Sequence, residues 1–448
     1  MNRESLTRFL IPALVFLIPF NSKKFLYSFS PHINEYFSLF LYLTDILCLI
    51  IITLFFFSRG RLKNELSDIF GKTIFVFVVL SFFSIFFAPE KGLALYHALR
   101  ILLYSMTAIS LSFFIKNKIV SFKNICSVFA LSAFFQSVIA FFQFLRGESI
   151  GLKIFGESVI TPLTTGVARV FIHGEHFLRG YGTMPHANIL ASFLILGLLA
   201  SAFLFISEKK KNALAVFYRI ASVVSFFVIM VGLVTTFSRS GWIVSLLVVG
   251  ALFIYGIIKK EQRRKTTLFL GVVIIQLTVI FLLFGWAIIP RANFASGEPS
   301  VDNRILYNEI GTELVFNHPL GVGVGNAVFQ AVNENLYQQK GFSEWWFWQP
   351  IHNLYILIAS ELGMAGLIVF LLSLYFLFFE FPKILYEMDT DFFVGTLMFL
   401  SVLVFGLFDH FMWDLPSGEL IMWVSLGVVF ALREKQKNKN IYEQRRAT

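Results

Sequence analysis

The 448-residue chain has little charge and almost no cysteine. Charged residues make up 14% of the sequence and hydrophobic residues 57%, whereas soluble domains carry about 25% charge. Together with a mean hydropathy of +0.75, this composition excludes an ordinary soluble domain and indicates a polytopic membrane protein. The two cysteines, Cys48 and Cys126, lie inside apolar runs. We therefore expect neither a disulfide framework nor a metal–thiolate site.

The formal net charge of +10 does not indicate a nucleic-acid partner. Most Lys and Arg residues lie in short connectors between apolar runs, where the positive-inside bias of membrane proteins accounts for them. We therefore predict contact with membrane lipid and no nucleic-acid binding.

The apolar runs predict an all-α polytopic fold, a single integral membrane domain over 1–448, because one crossing needs ~20 mostly apolar residues. The side richer in Lys and Arg is assigned to the cytoplasm, which places both termini there. This orientation predicts a first outward loop over 146–186 and a large outward loop with short helices over 290–352. It also predicts a basic cytoplasmic tail over 433–448. The predicted spans, about twelve, are 6–20, 36–57, 72–88, 93–115, 124–145, 187–206, 218–236, 240–258, 267–289, 353–379, 391–410 and 417–432.

Two outward segments each place an arginine beside small residues. Arg239 lies in the very short turn Thr235–Trp242, and Arg179 lies in the glycine-containing segment Arg179–Asn188. A guanidinium held near the membrane normally has a partner or an anionic ligand, and its planar fork suits phosphate oxygens. The alternatives are an Arg239 side chain that snorkels to lipid headgroups and an Arg179 side chain that is simply solvated.

The large outward loop ends in His352–Asn353, where the next apolar helix begins. A histidine of ordinary pKa, near ~6.5, can accept a proton from a sugar hydroxyl at neutral pH. The alternative is an interfacial histidine bonded to water and loop backbone. Earlier in the loop, His318 precedes the glycines of 321–325, which predict a turn or a re-entrant piece.

Five further ionisable residues are not assigned to a site. Asp409–His410 and Asp414 lie in the last outward connector, where we expect them to be solvated; the alternative is that they orient a substrate. Arg100 and Asp45 fall inside predicted spans, where a structural ion pair between neighbouring helices is as good an explanation as a function.

These features together resemble the O-antigen ligase/O-antigen polymerase superfamily of bacterial surface-polysaccharide glycosyltransferases. The resemblance covers 179–366. It rests on the Arg179–Asn188 segment, the Thr235–Trp242 turn, and the large outward loop with Arg304, Asn317–Gly323, Gly325–Asn326, His352–Tyr355 and Glu361–Gly366.

The resemblance implies glycan transfer at the periplasmic face of the bacterial cytoplasmic (inner) membrane. The donor would be a saccharide on undecaprenyl diphosphate, and the acceptor a sugar hydroxyl of lipid A–core or of another lipid-linked glycan. It also implies a metal-independent, inverting reaction without a cofactor, which agrees with the absence of a convincing carboxylate cluster for Mg²⁺ in the sequence.

Residue roles follow from the same resemblance. His352 would be the general base, Arg179 and Arg239 would bind the donor diphosphate, and Arg304 would contact the diphosphate or position the loop. The supporting residues would be Asn353, His318 and Asn326.

Several functions remain open at this level. A ligase, a polymerase that joins lipid-linked repeat units, and a protein O-oligosaccharyltransferase share these motifs. A lipid-linked glycan transporter or flippase is the alternative from another class. It is disfavoured because the candidate polar residues gather at the outward ends of the spans, whereas transporters concentrate them at the bilayer midplane.

Overall fold

The structure, a computed structural model, describes residues 2–58, 60–208, 212–292, 299–379 and 388–447. In the first half of the chain the helices are α1 (Arg3–Leu17), α2 (Leu43–Phe57), α3 (Leu62–Glu65), α4 (Ile69–Phe83), α5 (Lys91–Lys116), α6 (Phe122–Arg146) and α7 (Ala187–Ser207). In the second half they are α8 (Ala213–Thr235), α9 (Arg239–Ile258), α10 (Arg263–Ala292), α11 (Pro299–Asn317), α12 (Ala327–Asn333), α13 (Leu336–Gln339), α14 (Leu354–Phe378), α15 (Thr390–Phe405), α16 (Phe411–Asp414) and α17 (Pro416–Ala447).

The predicted fold class, an all-α polytopic membrane protein, is confirmed. Within the described ranges, nine helices have the length and hydropathy of membrane spans, and α2 and α15 are shorter apolar helices. Each of the twelve predicted segments overlaps a helix, the first of them α1. The number of crossings and the side of the termini stay predictions.

Helix α7 lies at the centre of the bundle. Its side chains from Ala187 to Ile206 are all buried, as expected of a helix that is apolar on every face. It packs against α6, α8, α9 and α15. At Gly197 an added Cβ would lie only 2.3 Å from the Cβ of Ala133 on α6, so this glycine lets the two helices come close.

Two antiparallel β-hairpins were not predicted. The first joins β1 (Lys23–Ser28) to β2 (Ser38–Tyr42), with Lys23 opposite Tyr42, and the second joins β3 (Arg169–Ile172) to β4 (Glu175–Leu178). The predicted span 36–57 was therefore wrong at its start, where the chain is a strand. The aromatic and aliphatic residues of β2 suit either state, and pairing with β1 decides it.

Helix α14 is broken, whereas the prediction treated 353–379 as one continuous span. Gly363 has φ 71° and ψ 177°, which a residue with a Cβ rarely adopts. The carbonyl groups that the break leaves without helical partners accept from the turn at residues 321–325, called the glycine turn below. Val322 N donates to Ser360 O and Gly323 N donates to Glu361 O, both at 2.9 Å.

The intramembrane charges belong to a structural network. Arg100 donates from Nε to Glu419 on α17 at 3.0 Å, and from Nη2 to the Tyr104 hydroxyl at 2.9 Å. That hydroxyl donates to Asp45 Oδ1 at 2.6 Å. Arg100 and Asp45 are thus linked, as expected, but through Tyr104, and the direct partner of Arg100 is Glu419. The network joins α2, α5 and α17.

Candidate active site

His352 lies at the end of the large loop, and its position is fixed by the start of α14. The next residue, Asn353, caps that helix by accepting from Tyr355 N at 3.0 Å and Ile356 N at 3.2 Å. The Asn353 Nδ2 group also donates to Leu407 O at 3.2 Å. This capping asparagine therefore ties His352 to the connector between α15 and α17, in keeping with a supporting role.

The His352 ring is held in one orientation. Its Nδ1 lies 2.9 Å from Pro350 O. Because a carbonyl oxygen only accepts hydrogen bonds, Nδ1 carries the proton, and Nε2 of the neutral ring has a free lone pair. The ring stacks on Tyr307 of α11, with centroids 5.0 Å apart and planes 14° apart.

The surroundings of His352 keep it neutral. Burial and the neighbouring His410 lower the pKa of His352 to about 3, against a smaller opposite effect of Asp409. The sequence-based hypothesis of an ordinary pKa near ~6.5 is thereby revised. The ring can therefore accept a proton throughout the neutral pH range. Before substrate enters, its low pKa makes it a weak base.

Asp409, His410 and Asp414 were expected to be solvated, but all three are buried in the connector. His410 Nδ1 lies 2.7 Å from Asp414 Oδ2, and the ring centroids of His410 and His352 are 4.9 Å apart. Burial disfavours charge on His410, but Asp414 and Asp409 outweigh it, so the pKa of His410 is raised. The pKa of Asp409 is lowered in spite of its burial, chiefly by His410 and then by His352 and Arg304.

Asp409 contacts one predicted arginine directly and is linked to a second through Asn188. Arg304 Nη2 lies 3.6 Å from Asp409 Oδ2. Asn188, at the start of α7, donates from Nδ2 to the same oxygen at 2.8 Å and accepts from Arg179 Nη2 at 2.6 Å. The structure therefore brings Arg179, Arg304 and His352 into one cluster around a carboxylate that sequence analysis did not include.

The turn that carries Arg239 is held by two other arginines. Arg179 donates from Nε to Thr236 O at 2.6 Å, and Arg291, at the end of α10, donates from Nε to Phe237 O at 3.1 Å. Phe237 has φ 50°, which is rare for a bulky residue and requires such support. Arg239 follows two residues later as the first residue of α9, half-buried, after the cap at Ser238.

Arg291 was not predicted as a site residue. Arg291 and Arg179 bind adjacent carbonyl groups, those of Phe237 and Thr236. Burial and the charge of Arg291 lower the pKa of Arg179 to about 9. Like charges gathered in one place disfavour each other, so this turn suits an anionic ligand.

Two predicted supporting residues lie in other networks. His318 Nε2 is 2.6 Å from Glu334 Oε1, and Asn326 is buried, with Oδ1 accepting from Glu90 N at 3.0 Å. Both hold the glycine turn and the short helix that follows it. Glu361 Oε2 accepts from Trp413 Nε1 at 2.6 Å and from Gly325 N at 2.7 Å. Glu361 therefore links the glycine turn to the connector between α15 and α17.

Among the described residues, His352, Asp409 and His410 form the group whose spacing could hold a metal ion, with one ligand atom of each within 4.8 Å of the others. The carboxylate is already placed 3.6 Å from Arg304, and the raised pKa of His410 favours its charged form, which cannot bind a metal. The residues present therefore fit an anion better than a divalent cation.

Residues 223–371 match the family model described as O-antigen ligase. This part of the chain is similar to the O-antigen ligase family. The resemblance to the ligase/polymerase superfamily is thereby confirmed, and family members are glycosyltransferase-like enzymes that use lipid-linked glycans. No curated protein matches the chain.

The O-antigen ligase segment contains only part of the cluster. Arg239, Arg291, Arg304 and His352 lie within it, whereas Arg179, Asn188 and the connector residues lie outside. The predicted residues His318, Asn326 and Asn353 also lie within it. The connector supplies the carboxylate of Asp409, α7 supplies the amide of Asn188, and the segment after β4 supplies Arg179 to the histidine of the O-antigen ligase segment.

Proposed function

We propose that the chain is an O-antigen ligase-type glycosyltransferase that moves a saccharide from undecaprenyl diphosphate to a sugar hydroxyl of lipid A–core. The observation that carries this proposal is the neutral, oriented His352 beside an arginine cluster. A base and an anion-binding group are the two parts that a glycosyl transfer from a diphosphate requires.

In the proposed reaction, Arg179, Arg239, Arg291 and Arg304 bind the diphosphate of the donor. The bond between the anomeric carbon and the diphosphate oxygen breaks, and its electron pair leaves with the undecaprenyl diphosphate. The arginine side chains stabilise the negative charge that develops on that oxygen.

His352 acts on the other reactant. The acceptor hydroxyl oxygen attacks the anomeric carbon, and its proton passes to Nε2 of His352. Tyr307 and Pro350 O hold the ring, so its lone pair is positioned before substrate arrives. One displacement inverts the anomeric configuration, and the cations on the leaving group make a metal ion unnecessary.

The chain would act as a multi-pass protein of the bacterial inner membrane with its site on the periplasmic side. The support is the charge bias of the connectors, and the fact that the loops with Arg179, Arg304 and His352 meet the connector with Asp409 on one face.

Glycan profiles of a deletion strain test this proposal. The strain is complemented with the wild-type gene, His352→Ala or Arg239→Ala, with the exposed His176→Ala and Arg146→Ala as matched controls. We expect the controls to restore polymer on lipid A–core, and the site variants to leave polymer on the lipid carrier.

Two outcomes would contradict the proposal. Loss of long chains, with a single repeat unit still attached to the core, would identify a polymerase. Full restoration by both site variants would remove the catalytic assignment and favour a transporter.

A further inference from the structure

A group of aromatic rings lies exposed on the large loop. Trp345, Trp346 and Phe347 are 38%, 41% and 38% exposed, although rings of this size are usually better covered. The imidazole of His32, from the tip of the β1–β2 hairpin, stacks on Trp345 with centroids 4.7 Å apart and planes 4° apart. These four residues are called the aromatic platform below.

The platform is fixed by structure on both sides. Trp345–Phe347 forms one turn of 3-10 helix, and Phe347 O accepts from the Tyr307 hydroxyl at 2.9 Å. Trp348, the next residue, also contacts His32, with ring centroids 5.8 Å apart. Rings already held in place lose little conformational freedom when a ligand binds.

A continuous series of stacked rings connects the platform to His352. His352 stacks on Tyr307 at 5.0 Å, Tyr307 on Phe342 at 4.9 Å, and Phe342 on Phe347 at 5.8 Å between centroids. The interplanar angles along this series are 14°, 18° and 25°. Three ring contacts therefore separate the platform from His352, and a chain of a few sugar units can span that separation.

We propose that the aromatic platform binds the acceptor saccharide, so that sugars beyond the reacting unit stack on Trp345 and Trp346. The C–H faces of pyranose rings carry a small positive charge and pack on the negative faces of aromatic rings, while their hydroxyls stay in water. This inference rests on the proposed function and names the acceptor subsite of the same site.

The acceptor is a better occupant than the donor or the bilayer. The donor diphosphate is assigned to the arginine cluster, and side-chain contacts through Asp409 and His410 connect His352 to that cluster. The platform is connected to His352 by another set of contacts, through Tyr307. Interfacial tryptophans of membrane proteins form belts around the molecule. Here, rings from two distant parts of the chain meet in one place, on the loop that carries the base.

The test uses the full-length protein in proteoliposomes with two acceptors from the source cell: complete lipid A–core, and lipid A–core truncated to its innermost sugars. Trp345→Leu removes the ring but keeps apolar area, whereas Trp345→Phe keeps a ring. We expect Trp345→Leu to raise the KM for the complete acceptor about fivefold or more. Its KM for the truncated acceptor and for the donor should stay unchanged, and Trp345→Phe should resemble the wild type.

Trp286→Leu is the matched control, because Trp286 is 45% exposed on α10, away from the platform. An equal effect of Trp345→Leu on both acceptors, or the same effect from Trp286→Leu, would indicate a bilayer anchor and overturn the proposal. Unchanged kinetics in Trp345→Leu would also overturn it.

Binding without turnover separates this inference from the proposed function. Saturation-transfer NMR with released core oligosaccharide should show contact with the wild type and a weaker signal with Trp345→Leu. If the wild type binds in this way but transfers no saccharide, the platform stands and the proposed function falls. If transfer occurs without any change in oligosaccharide contact, the proposed function stands and the platform falls.

Discussion

Asn188 donates a hydrogen bond from Nδ2 to Asp409 Oδ2 at 2.8 Å, across 221 residues of sequence. Its Oδ1 accepts from Arg179 at 2.6 Å, so one amide holds an arginine and a carboxylate in fixed relation. All three side chains are buried.

Replacing Asn188 with Leu should lower the transfer rate at least tenfold without removing a group that touches substrate. Leucine keeps the volume but removes one hydrogen bond from the buried Arg179 and one from the buried Asp409, which costs about 1–3 kcal/mol for each. The rate is measured in proteoliposomes with lipid-linked donor. Asn212→Ala, which removes the cap of α8, is the control. A wild-type rate in Asn188→Leu would show that the link is not needed.

Replacing Arg291 with Gln should weaken donor binding. Loss of one hydrogen bond to a charged group costs about 1.5 kcal/mol or more, so we expect the KM for the donor to rise about tenfold. The KM for the acceptor should change little, and Arg291→Lys should recover part of the loss. Equal effects on both KM values would mean that Arg291 only stabilises the turn.

Activity should depend on pH in a way that the depressed pKa of His352 dictates. Because the folded-state pKa is about 3, the neutral base is present above roughly pH 5, and the rate should be flat from pH 5.5 to 8. A base with the ordinary pKa of ~6.5 would instead give a rate that rises across this range. Initial rates at saturating substrates, over pH 4.5 to 8, distinguish the two.

Stability should also fall in acid. The pKa of His186 is lowered to about 3 by burial and by the charge of Arg179, as that of His352 is by burial and His410. Between pH 3 and about 6.5 the unfolded chain therefore binds more protons at these two positions, so they lower stability as pH falls through that window. Thermal unfolding of His352→Gln in detergent should show a weaker dependence on pH than the wild type.

Transfer should continue in EDTA and should not increase with Mg²⁺ or Mn²⁺. In the proposed mechanism the arginine cluster supplies positive charge to the leaving diphosphate. Arg304 also lies 3.6 Å from the carboxylate that a metal would need. Loss of activity in EDTA, with recovery on adding Mg²⁺ or Mn²⁺, would replace this mechanism with a metal-dependent one.

Replacing Gly363 with Ala should destabilise the protein by about 1–3 kcal/mol. Its φ of 71° disfavours a side chain, and the new Cβ would lie 2.6 Å from Pro319 O. Gly250→Ala and Gly271→Ala are matched controls, since an added Cβ meets nothing within 4 Å at either position, and alanine favours helix. If Gly363→Ala and these controls have the same unfolding midpoint, the claim that the break in α14 requires a glycine is contradicted.

The fold class was readable from sequence because each long helix carries its own signal, a run of apolar residues. The hairpins and the break at Gly363 were missed because they depend on partners elsewhere, such as β1 for β2 and the glycine turn for α14. Hydropathy alone cannot distinguish those states.

The candidate site was only partly predictable for the same reason. His352 and Arg304 follow from local pattern and resemblance, but the connector residues Asp409–Asp414 looked solvated because their partners are distant in sequence. The sequence did contain one indication that these residues are functional. Three ionisable residues lie in a connector too short to extend away from the membrane surface. His318 and Asn326 lie in another network because a polar loop supports structure as often as chemistry.

The long sequence separation between Asn188 and Asp409 also sets an order of events during biosynthesis. Ribosomes add about 5–20 residues per second, so the carboxylate is made roughly 10 to 45 seconds after the amide that binds it. In the proposed topology, a nascent chain at the insertion machinery already carries Arg179, but it cannot assemble the complete cluster until the connector before α17 has crossed the membrane. In the proposed function, glycan transfer would therefore begin only after the last helices have entered the bilayer.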